Sequence, residues 1–364
     1  MSAAALKTSL LGFDKLDLSQ FATDCGEPRF RGAQLFRNIY ARRERDLSRC
    51  SDFPSRFREY LKSHGSVAYP EIKGHAASRD GSVRYLLSLD DGETIETVFM
   101  PDRERVTLCV SSQAGCAVNC RFCFTALLGL KRNLTSGEIV GQILGVIDAR
   151  QLPPRTRLNI VFMGMGEPLL NLPSVMKAVR ILADPDGPAI PLRRITISTA
   201  GIVPRIYDLA QQSTRPKLAI SLNASTDEQR TALMPLNRKY PLQELLRACR
   251  EFPLGPRERL TFEYVLLDGI NDTDADAGRV ASLMRGMRAK VNLIPYNSGT
   301  DLPYRPSPLK RVLAFQKILR ERQVPAFIRI SRGQDIMAAC GQLKLTSTQN
   351  VPGHVHVERP ALPS

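Results

Sequence analysis

The feature that most restricts the fold is a regular alternation of apolar, strand-like runs with amphipathic segments, which begins at Val106. The strand candidates are, in order, VTLCVSS, LNIVFMG, RITISTA, LAISLNA, LTFEYVLL, VNLIPYN and FIRISR. Helical patterns near 136–150 and 172–183 lie among them. This order predicts a parallel sheet covered by helices, either a doubly wound sheet or a complete or partial (β/α) barrel. Both architectures place chemistry at the carboxyl ends of the strands.

The region before this alternation is strongly basic. Residues 27–62 contain ten Lys and Arg against five Asp and Glu, in a chain whose formal net charge is +15. Leu35, Phe36, Ile39 and Tyr40 recur at helical spacing, which predicts an amphipathic helix with its arginines toward solvent. Such a surface favours a polyanionic partner, nucleic acid first and an anionic membrane second. A helix face that is merely solvated is an equally good interpretation.

The sequence predicts a cytoplasmic protein. No apolar stretch approaches the roughly 20 residues needed to span a bilayer, and the N-terminus lacks a basic segment followed by an apolar one. Eight cysteines are too few for a secreted disulfide scaffold of this length. In a reducing compartment we expect them to be metal ligands, catalysts or core residues.

Three of these cysteines form the strongest local motif. Cys116, Cys120 and Cys123 follow the first predicted strand of the alternating region. Three soft thiolates in one short loop suit an iron–sulfur cluster or zinc. A structural zinc would need a fourth ligand nearby, and the His-x-His pair, His354 and His356, lies in the polar tail. The motif therefore favours an iron–sulfur cluster whose remaining iron is open to a small molecule.

Polar residues follow several of the predicted strands. The second strand ends in a glycine-rich loop with an acid, and Ser198, the Ser221-Leu222-Asn223 run and Asn297 close later strands. Together they form a ring that could hold ribose and amino-acid groups. Each residue alone could equally belong to an ordinary turn or a helix cap.

Longer segments resemble the RlmN/Cfr family of radical S-adenosylmethionine (SAM) RNA methyltransferases. The resemblance runs in order from about residue 26 to 343 and rests on GCAVNCRFCFTALLGLKRNLTSGEIVGQI, FMGMGEPLLN, ITISTAGIVP, LAISLNA, LMPLN, VNLIPYN and RISRGQDIMAACGQL. It implies an α/β fold, a partial (β/α)6 radical-SAM barrel with a small, mostly helical N-terminal domain and a β-hairpin.

The domain boundaries follow from this resemblance and from local pattern. Residues 82–100 form two strand-like runs on either side of a turn at Asp90-Asp91-Gly92. This local pattern predicts the hairpin independently of the resemblance. The expected units are a basic RNA-contacting domain at 1–80, a hairpin linker at 81–103, a radical-SAM core at 104–346 and a polar tail at 347–364.

The resemblance also implies the site. A [4Fe-4S] cluster would be held by Cys116, Cys120 and Cys123, and two SAM molecules would be used per turnover. Cys340 would carry a methyl group, Cys109 would resolve the product, and Glu96 would accept a proton. The residues implied to contact SAM are Gly166, Glu167, Ser198, Ser221, Leu222, Asn223 and Asn297.

The implied reaction is methylation of C2 of adenine, at adenosine 2503 of 23S rRNA and adenosine 37 of certain tRNAs. One SAM would methylate Cys340, and reductive cleavage of a second would generate the radical that activates this methyl group. Resolution by Cys109 would release methylated RNA and leave a disulfide. The implied partners are RNA and an electron donor such as flavodoxin or ferredoxin, with no membrane, and the protein is expected to be a monomer.

Three departures and three alternatives accompany this interpretation. The sequence reads SLN at Asn223 where the family usually has SLH, Phe124 replaces a small residue, and the tail lacks the basic extension of many relatives. The alternatives are Cfr-like methylation of C8, a radical-SAM enzyme with a small-molecule substrate, and a non-catalytic RNA-binding protein stapled by a metal. Cys25, Cys50 and Cys249 match no motif and are expected to be structural.

Overall fold

A computed structural model describes residues 7–154, 156–298 and 302–343. Its N-terminal part contains, in chain order, β1 (Thr8–Ser9), α1 (Lys15–Asp24), α2 (Arg31–Phe36), α3 (Ser55–His64) and β2 (Gly65–Ser66). Helix α2 continues as a π-helical turn over Arg37–Ala41. The side chains at the predicted helical spacing, from Leu35 to Tyr40, are buried, whereas Arg37 and Arg42 are exposed. The amphipathic pattern is therefore confirmed.

An antiparallel meander follows the N-terminal helices. It consists of β3 (Glu71–Ala77), β4 (Val83–Ser88), β5 (Thr94–Asp102) and β6 (Arg105–Cys109). Strands β4 and β5 form the hairpin that the sequence predicts. Gly92 lies in its turn at φ +86°, a conformation that glycine adopts without strain.

The remaining elements alternate as expected. In chain order they are β7 (Gln113–Gly115), β8 (Leu130–Asn133), α4 (Ser136–Ala149), β9 (Arg157–Phe162), α5 (Leu172–Ala183), β10 (Ile195–Thr199), α6 (Val203–Ala210), β11 (Lys217–Ser221), α7 (Asp227–Leu233), α8 (Leu242–Glu251), β12 (Leu260–Leu266), α9 (Asp274–Leu283), β13 (Ala289–Pro295), α10 (Leu309–Glu321) and β14 (Ala326–Ile328). Strands β7 and β8 form a small separate antiparallel pair.

One sheet of ten strands organises the molecule. Its order is β14-β13-β12-β11-β10-β9-β6-β5-β4-β3, and the strands from β6 to β14 within it run parallel. Among the described residues the edge strands β14 and β3 do not pair with each other, so the barrel is open. This confirms the partial barrel, and it shows that the hairpin extends the same sheet.

Local sequence signals set the ends of several helices. Capping boxes open α4 at Thr135 and α9 at Thr273, where the hydroxyl accepts an N–H of the first turn and an acid three residues later accepts from the cap itself. Within the ranges that the structure covers, no helix is long and apolar enough to cross a membrane.

Candidate active site inside the open barrel

Strand register brings four of the candidate residues, Glu96, Cys109, Ser198 and Ser221, to one face of the sheet. Directly paired residues share a face, as do residues two apart on one strand. The register gives one row of positions: Glu96, Val98, Cys109, Val161, Thr196, Ser198, Ala219, Ser221, Glu263 and Asn292. The opposite face carries fully buried apolar residues such as Leu108, Ile160 and Phe262. The polar row is therefore the inner wall of the open barrel.

The three-cysteine loop is held by backbone contacts. Gly115 precedes it at φ +77°, where an added Cβ would lie 1.8 Å from the Gly129 carbonyl oxygen. Cys116 donates its N–H to that same oxygen at 2.9 Å, and the Arg121 N–H donates to the Leu233 carbonyl at 2.9 Å. These contacts fix both sides of the loop, whose three cysteine residues are partly exposed.

The loop thiols lie near one another, and their protons are held tightly. Burial, aided by the neighbouring Cys123 thiol, raises the pKa of Cys116 to about 12. The pKa of Cys120 lies well above its usual value for the same reasons, and burial raises that of Cys123. Bound metal would offset this cost, because a cation favours the thiolate.

The donor set fits an iron–sulfur cluster. Three soft thiolates in one short loop can hold three of four irons. Within the described part of the chain, no three His, Cys, Asp or Glu side chains surround a position for a single metal ion, so the fit rests on the chemistry of these donors.

Cys109 and Cys340 come near enough to interact electrostatically although they are far apart in the chain. Cys109 ends β6 and is buried, and its pKa is raised by burial and by the nearby Cys340 thiol. Cys340 is exposed on the loop after β14, yet surrounding protein and Glu263 raise its pKa to about 11. The Cys123 thiol also interacts electrostatically with Cys340, so the cysteine pair lies beside the three-cysteine loop.

Glu96 is buried in an ion pair. Its Oε1 lies 3.0 Å from a guanidinium nitrogen of Arg84, and both side chains are almost completely buried. The same nitrogen of Arg84 donates to the Met337 carbonyl at 3.5 Å, three residues before Cys340. Sequence reasoning missed Arg84, whose only signal is a basic residue inside an apolar strand pattern.

Gly166 and Glu167 form a rigid turn after β9. Gly166 has φ +98°, and an added Cβ would lie 2.6 Å from the Gln113 Cβ. The Glu167 carboxylate accepts N–H bonds from Leu169 at 3.0 Å and Ala200 at 2.7 Å. Burial nevertheless raises its pKa to about 7. A carboxylate has about four acceptor positions, so it retains capacity for an ammonium donor.

The other predicted SAM contacts divide into two groups. Ser198 and Ser221 are half-buried on the inner wall. The buried Asn297 amide is engaged within the protein, since it donates to the Cys340 carbonyl at 3.4 Å and accepts from the Gln334 amide at 2.6 Å. Leu222 is fully buried. The Asn223 amide is engaged elsewhere: it accepts from the Val265 N–H at 2.9 Å and donates to the Met234 sulfur at 3.4 Å.

Arg230 is a further residue that the sequence did not reveal. It is fully buried on α7 and donates to the carbonyls of Ala200 at 2.6 Å, Ser221 at 3.2 Å and Leu222 at 3.2 Å. Burial lowers its pKa to about 10. Its guanidinium therefore ties together the ends of β10 and β11, where the predicted SAM contacts lie.

A parallel, open (β/α) barrel with a three-cysteine loop after its first strand defines a radical SAM enzyme. The model of the Radical SAM superfamily matches residues 110–278, and that of the ribosomal RNA large subunit methyltransferase N-terminal domain matches residues 8–67. A crystal structure of a radical SAM methyltransferase from Sphaerobacter thermophilus superposes with a TM-score of 0.87 at 42% identity, covering 92% of this chain and 98% of that one.

Curated relatives narrow the class further. The probable dual-specificity RNA methyltransferase RlmN of Koribacter versatilis is 51% identical over 88% of this chain and 97% of its own. The dual-specificity RNA methyltransferase RlmN of Syntrophobacter fumaroxidans is 49% identical over 90% and 95%. The chain belongs to the RlmN family. Its cofactors are a [4Fe-4S] cluster and SAM, and RlmN enzymes use two SAM molecules per turnover.

Proposed function

We propose that this chain methylates C2 of adenine in RNA, at adenosine 2503 of 23S rRNA and adenosine 37 of tRNAs, with Cys340 as the methyl carrier. The names of the relatives support RNA as the substrate. The observation that carries the proposal is the proximity of Cys340 to Cys109 and to the three-cysteine loop, with Cys109 on the same face of the sheet as Glu96. A radical SAM enzyme with a small-molecule substrate would not need such a pair.

The target carbon explains the need for this apparatus. C2 of adenine is electron-poor and has no lone pair with which to attack the methyl group of SAM. When bound, the cluster and SAM supply the radical chemistry that avoids this barrier. Cys116, Cys120 and Cys123 would hold the cluster, and the inner-wall residues Ser198 and Ser221, with Glu167, would hold SAM.

The protein side chains perform the remaining steps. The Cys340 sulfur attacks the methyl carbon of SAM: a sulfur–carbon bond forms, the sulfonium–methyl bond breaks, S-adenosylhomocysteine leaves, and the thiol proton goes to solvent. After the carrier has joined the base, Glu96 accepts the ring proton. Cys109 then attacks the Cys340 sulfur: the sulfur–sulfur bond forms, the bond between Cys340 and the methylene carbon breaks, and that carbon takes up a proton. This releases methylated RNA, returns the one electron that was spent in forming the radical, and leaves a Cys109–Cys340 disulfide. A two-electron reductant must restore both thiols before the next cycle.

The RNA contact is assigned to the N-terminal domain. Its exposed arginines, among them Arg29, Arg37 and Arg56, provide the positive charge that phosphates bind. The adenine must be unstacked from its neighbours to reach Cys340, which favours an RNA loop over a regular RNA helix as the substrate. We assign the electron supply to a flavodoxin or a ferredoxin and the working state to a monomer.

The proposal is tested by the Cys340→Ala variant. Reconstituted wild-type and variant enzymes are incubated with a 23S rRNA fragment or tRNA, SAM and a reductant, and the nucleosides are separated by mass spectrometry. We expect 2-methyladenosine from wild type only, with equal iron and sulfide in both proteins, because Cys340 is a carrier and not a ligand. Methylation by the variant would refute the carrier role, and 8-methyladenosine would instead support Cfr-like chemistry.

A further inference from the structure

We propose that the turn between β3 and β4 is a docking point for the loop that carries Cys340, and that Asp80 and Asp335 are the positioning residues of this contact. The proposal rests on the proposed role of Cys340. The turn consists of residues 78–82 and the loop of residues 329–343, and they are brought together only by the fold.

The contact is reciprocal, since each side contributes one carboxylate. Asp80 of the turn accepts the Gly333 N–H of the loop at 2.9 Å. Asp335 of the loop accepts the Ser78 hydroxyl at 2.6 Å and the Arg79 N–H at 3.1 Å. Hydrogen bonds in which the acceptor is ionised are stronger than neutral ones.

The basic side chain of Arg332 adds further hydrogen bonds between the loop and the region of the turn. Arg332 donates to the Pro101 carbonyl at 3.0 Å, next to the turn, and to the Asp80 carbonyl at 3.4 Å. Both carboxylates are held in the ionised form. Burial opposes ionisation of Asp80, but the N–H groups of Gly333 and Ser82 outweigh it and lower its pKa to about 2. The pKa of Asp335 is lowered by Ser78 and Arg79.

The other end of the loop is tied to the three-cysteine segment. The Phe124 N–H donates to the Gly341 carbonyl at 2.8 Å, and the Thr125 hydroxyl donates to the Leu343 carbonyl at 2.8 Å. Cys340 therefore lies between two attachments, one on the β3–β4 turn and one directly after Cys123. Releasing the first attachment leaves the carrier loop held by the second and by the contacts of Arg84 with Met337 and of Asn297 with Cys340, so its position is less narrowly defined.

The chain segment between the two attachments, which includes Gly333 to Cys340, is tightly folded. The Ala338 N–H donates to the Gly333 carbonyl at 2.8 Å, and Met337 adopts a left-handed conformation at φ +54°. A short, folded segment transmits the placement of Gly333 and Asp335 to Cys340, because it has little freedom to absorb a displacement at its base. The β3–β4 turn thus sets where the Cys340 sulfur lies relative to Cys109.

The test measures the effective concentration of the Cys109–Cys340 thiol pair. Reconstituted holoenzyme is equilibrated without oxygen in mixtures of reduced and oxidised glutathione, where two protein thiols and one oxidised glutathione give one protein disulfide and two reduced glutathiones. Peptide mass spectrometry quantifies the pair. The variants are Asp80→Asn, Asp335→Asn and Asp335→Ala, and Asp208→Asn is the control, because Asp208 contacts Arg205 on α6.

We expect the effective concentration to fall about three- to tenfold in Asp335→Ala, since this partly exposed contact is screened by water. Asp80→Asn and Asp335→Asn each retain an acceptor oxygen but lose the charge, and both should fall between Asp335→Ala and wild type. Asp208→Asn should match wild type, and the iron content should not change. The rate of Cys340 methylation by SAM should fall in the same order.

Equal effective concentrations in all five proteins would overturn the proposal, even if activity were altered. Because the glutathione measurement needs no turnover, it separates this proposal from the proposed function. A wild type that never methylates Cys340 would refute the carrier role while the docking contact could still be measured.

Discussion

The glycines around the candidate SAM site allow a graded test of the packing. Gly166→Ala introduces two separate penalties: φ is +98°, and the new Cβ would lie 2.6 Å from the Gln113 Cβ and 2.7 Å from its backbone nitrogen. Gln113 is buried, and its side chain accepts the Glu167 N–H at 2.8 Å. It cannot move away without breaking this contact.

Alanine substitutions at two other glycines each impose only one of these two energetic penalties. Gly92 has φ +86° with no atom within 4 Å of an added Cβ, so Gly92→Ala carries only the backbone strain, about 1–2 kcal/mol. Gly164 is not left-handed, but an added Cβ would lie 2.7 Å from the Val110 carbonyl oxygen, so Gly164→Ala carries only overpacking, about 1–3 kcal/mol. Gly166→Ala should therefore lose about 2–5 kcal/mol of unfolding free energy.

Urea unfolding followed by far-ultraviolet circular dichroism measures all three variants against wild type. The expected order of stability is wild type, then Gly92→Ala and Gly164→Ala, then Gly166→Ala, whose loss should be near the sum of the other two. A Gly166→Ala protein as stable as Gly92→Ala would refute the close approach of β7 to this turn.

Two further predictions concern the chemistry. Cys109→Ala removes the resolving thiol, so a covalent protein–RNA adduct should accumulate on denaturing gels; free 2-methyladenosine at the wild-type yield would show that resolution does not need Cys109. Glu167 has a pKa of about 7, so lowering the pH below 7 protonates it and removes an acceptor for the SAM ammonium group. Calorimetry should show SAM affinity falling by up to about tenfold per pH unit as the pH decreases, with release of a proton on binding below pH 7. Glu167→Gln should bind weakly and without this pH dependence, and an identical profile in both proteins would contradict the contact.

Local patterns predicted the secondary-structure elements and singled out the three-cysteine loop. The strand and helix alternation, the hairpin around Gly92 and the three-cysteine spacing each depend on residues close in the chain. Short-range geometry governs them, so the sequence reveals them directly. The α4 pattern near 136–150 matches the observed Ser136–Ala149 for the same reason.

Contacts between distant segments could not be predicted from local pattern. Arg84 meets Glu96 across the hairpin, and the β3–β4 turn meets the Cys340 loop only once the sheet has formed. Polar residues at strand ends suggest a ring of contacts, yet their orientation depends on the neighbours. Asn223 illustrates this, because its amide bonds to Val265 and Met234 within the protein.

The carrier role of Cys340 is tested most directly by a pulse–chase experiment. The enzyme is first methylated with SAM that bears a trideuterated methyl group, freed of unbound SAM, and then given RNA, reductant and unlabelled SAM for one turnover. The account predicts deuterium in the 2-methyladenosine of the product, because the methyl group passes through Cys340. An unlabelled methyl group in the RNA would contradict it.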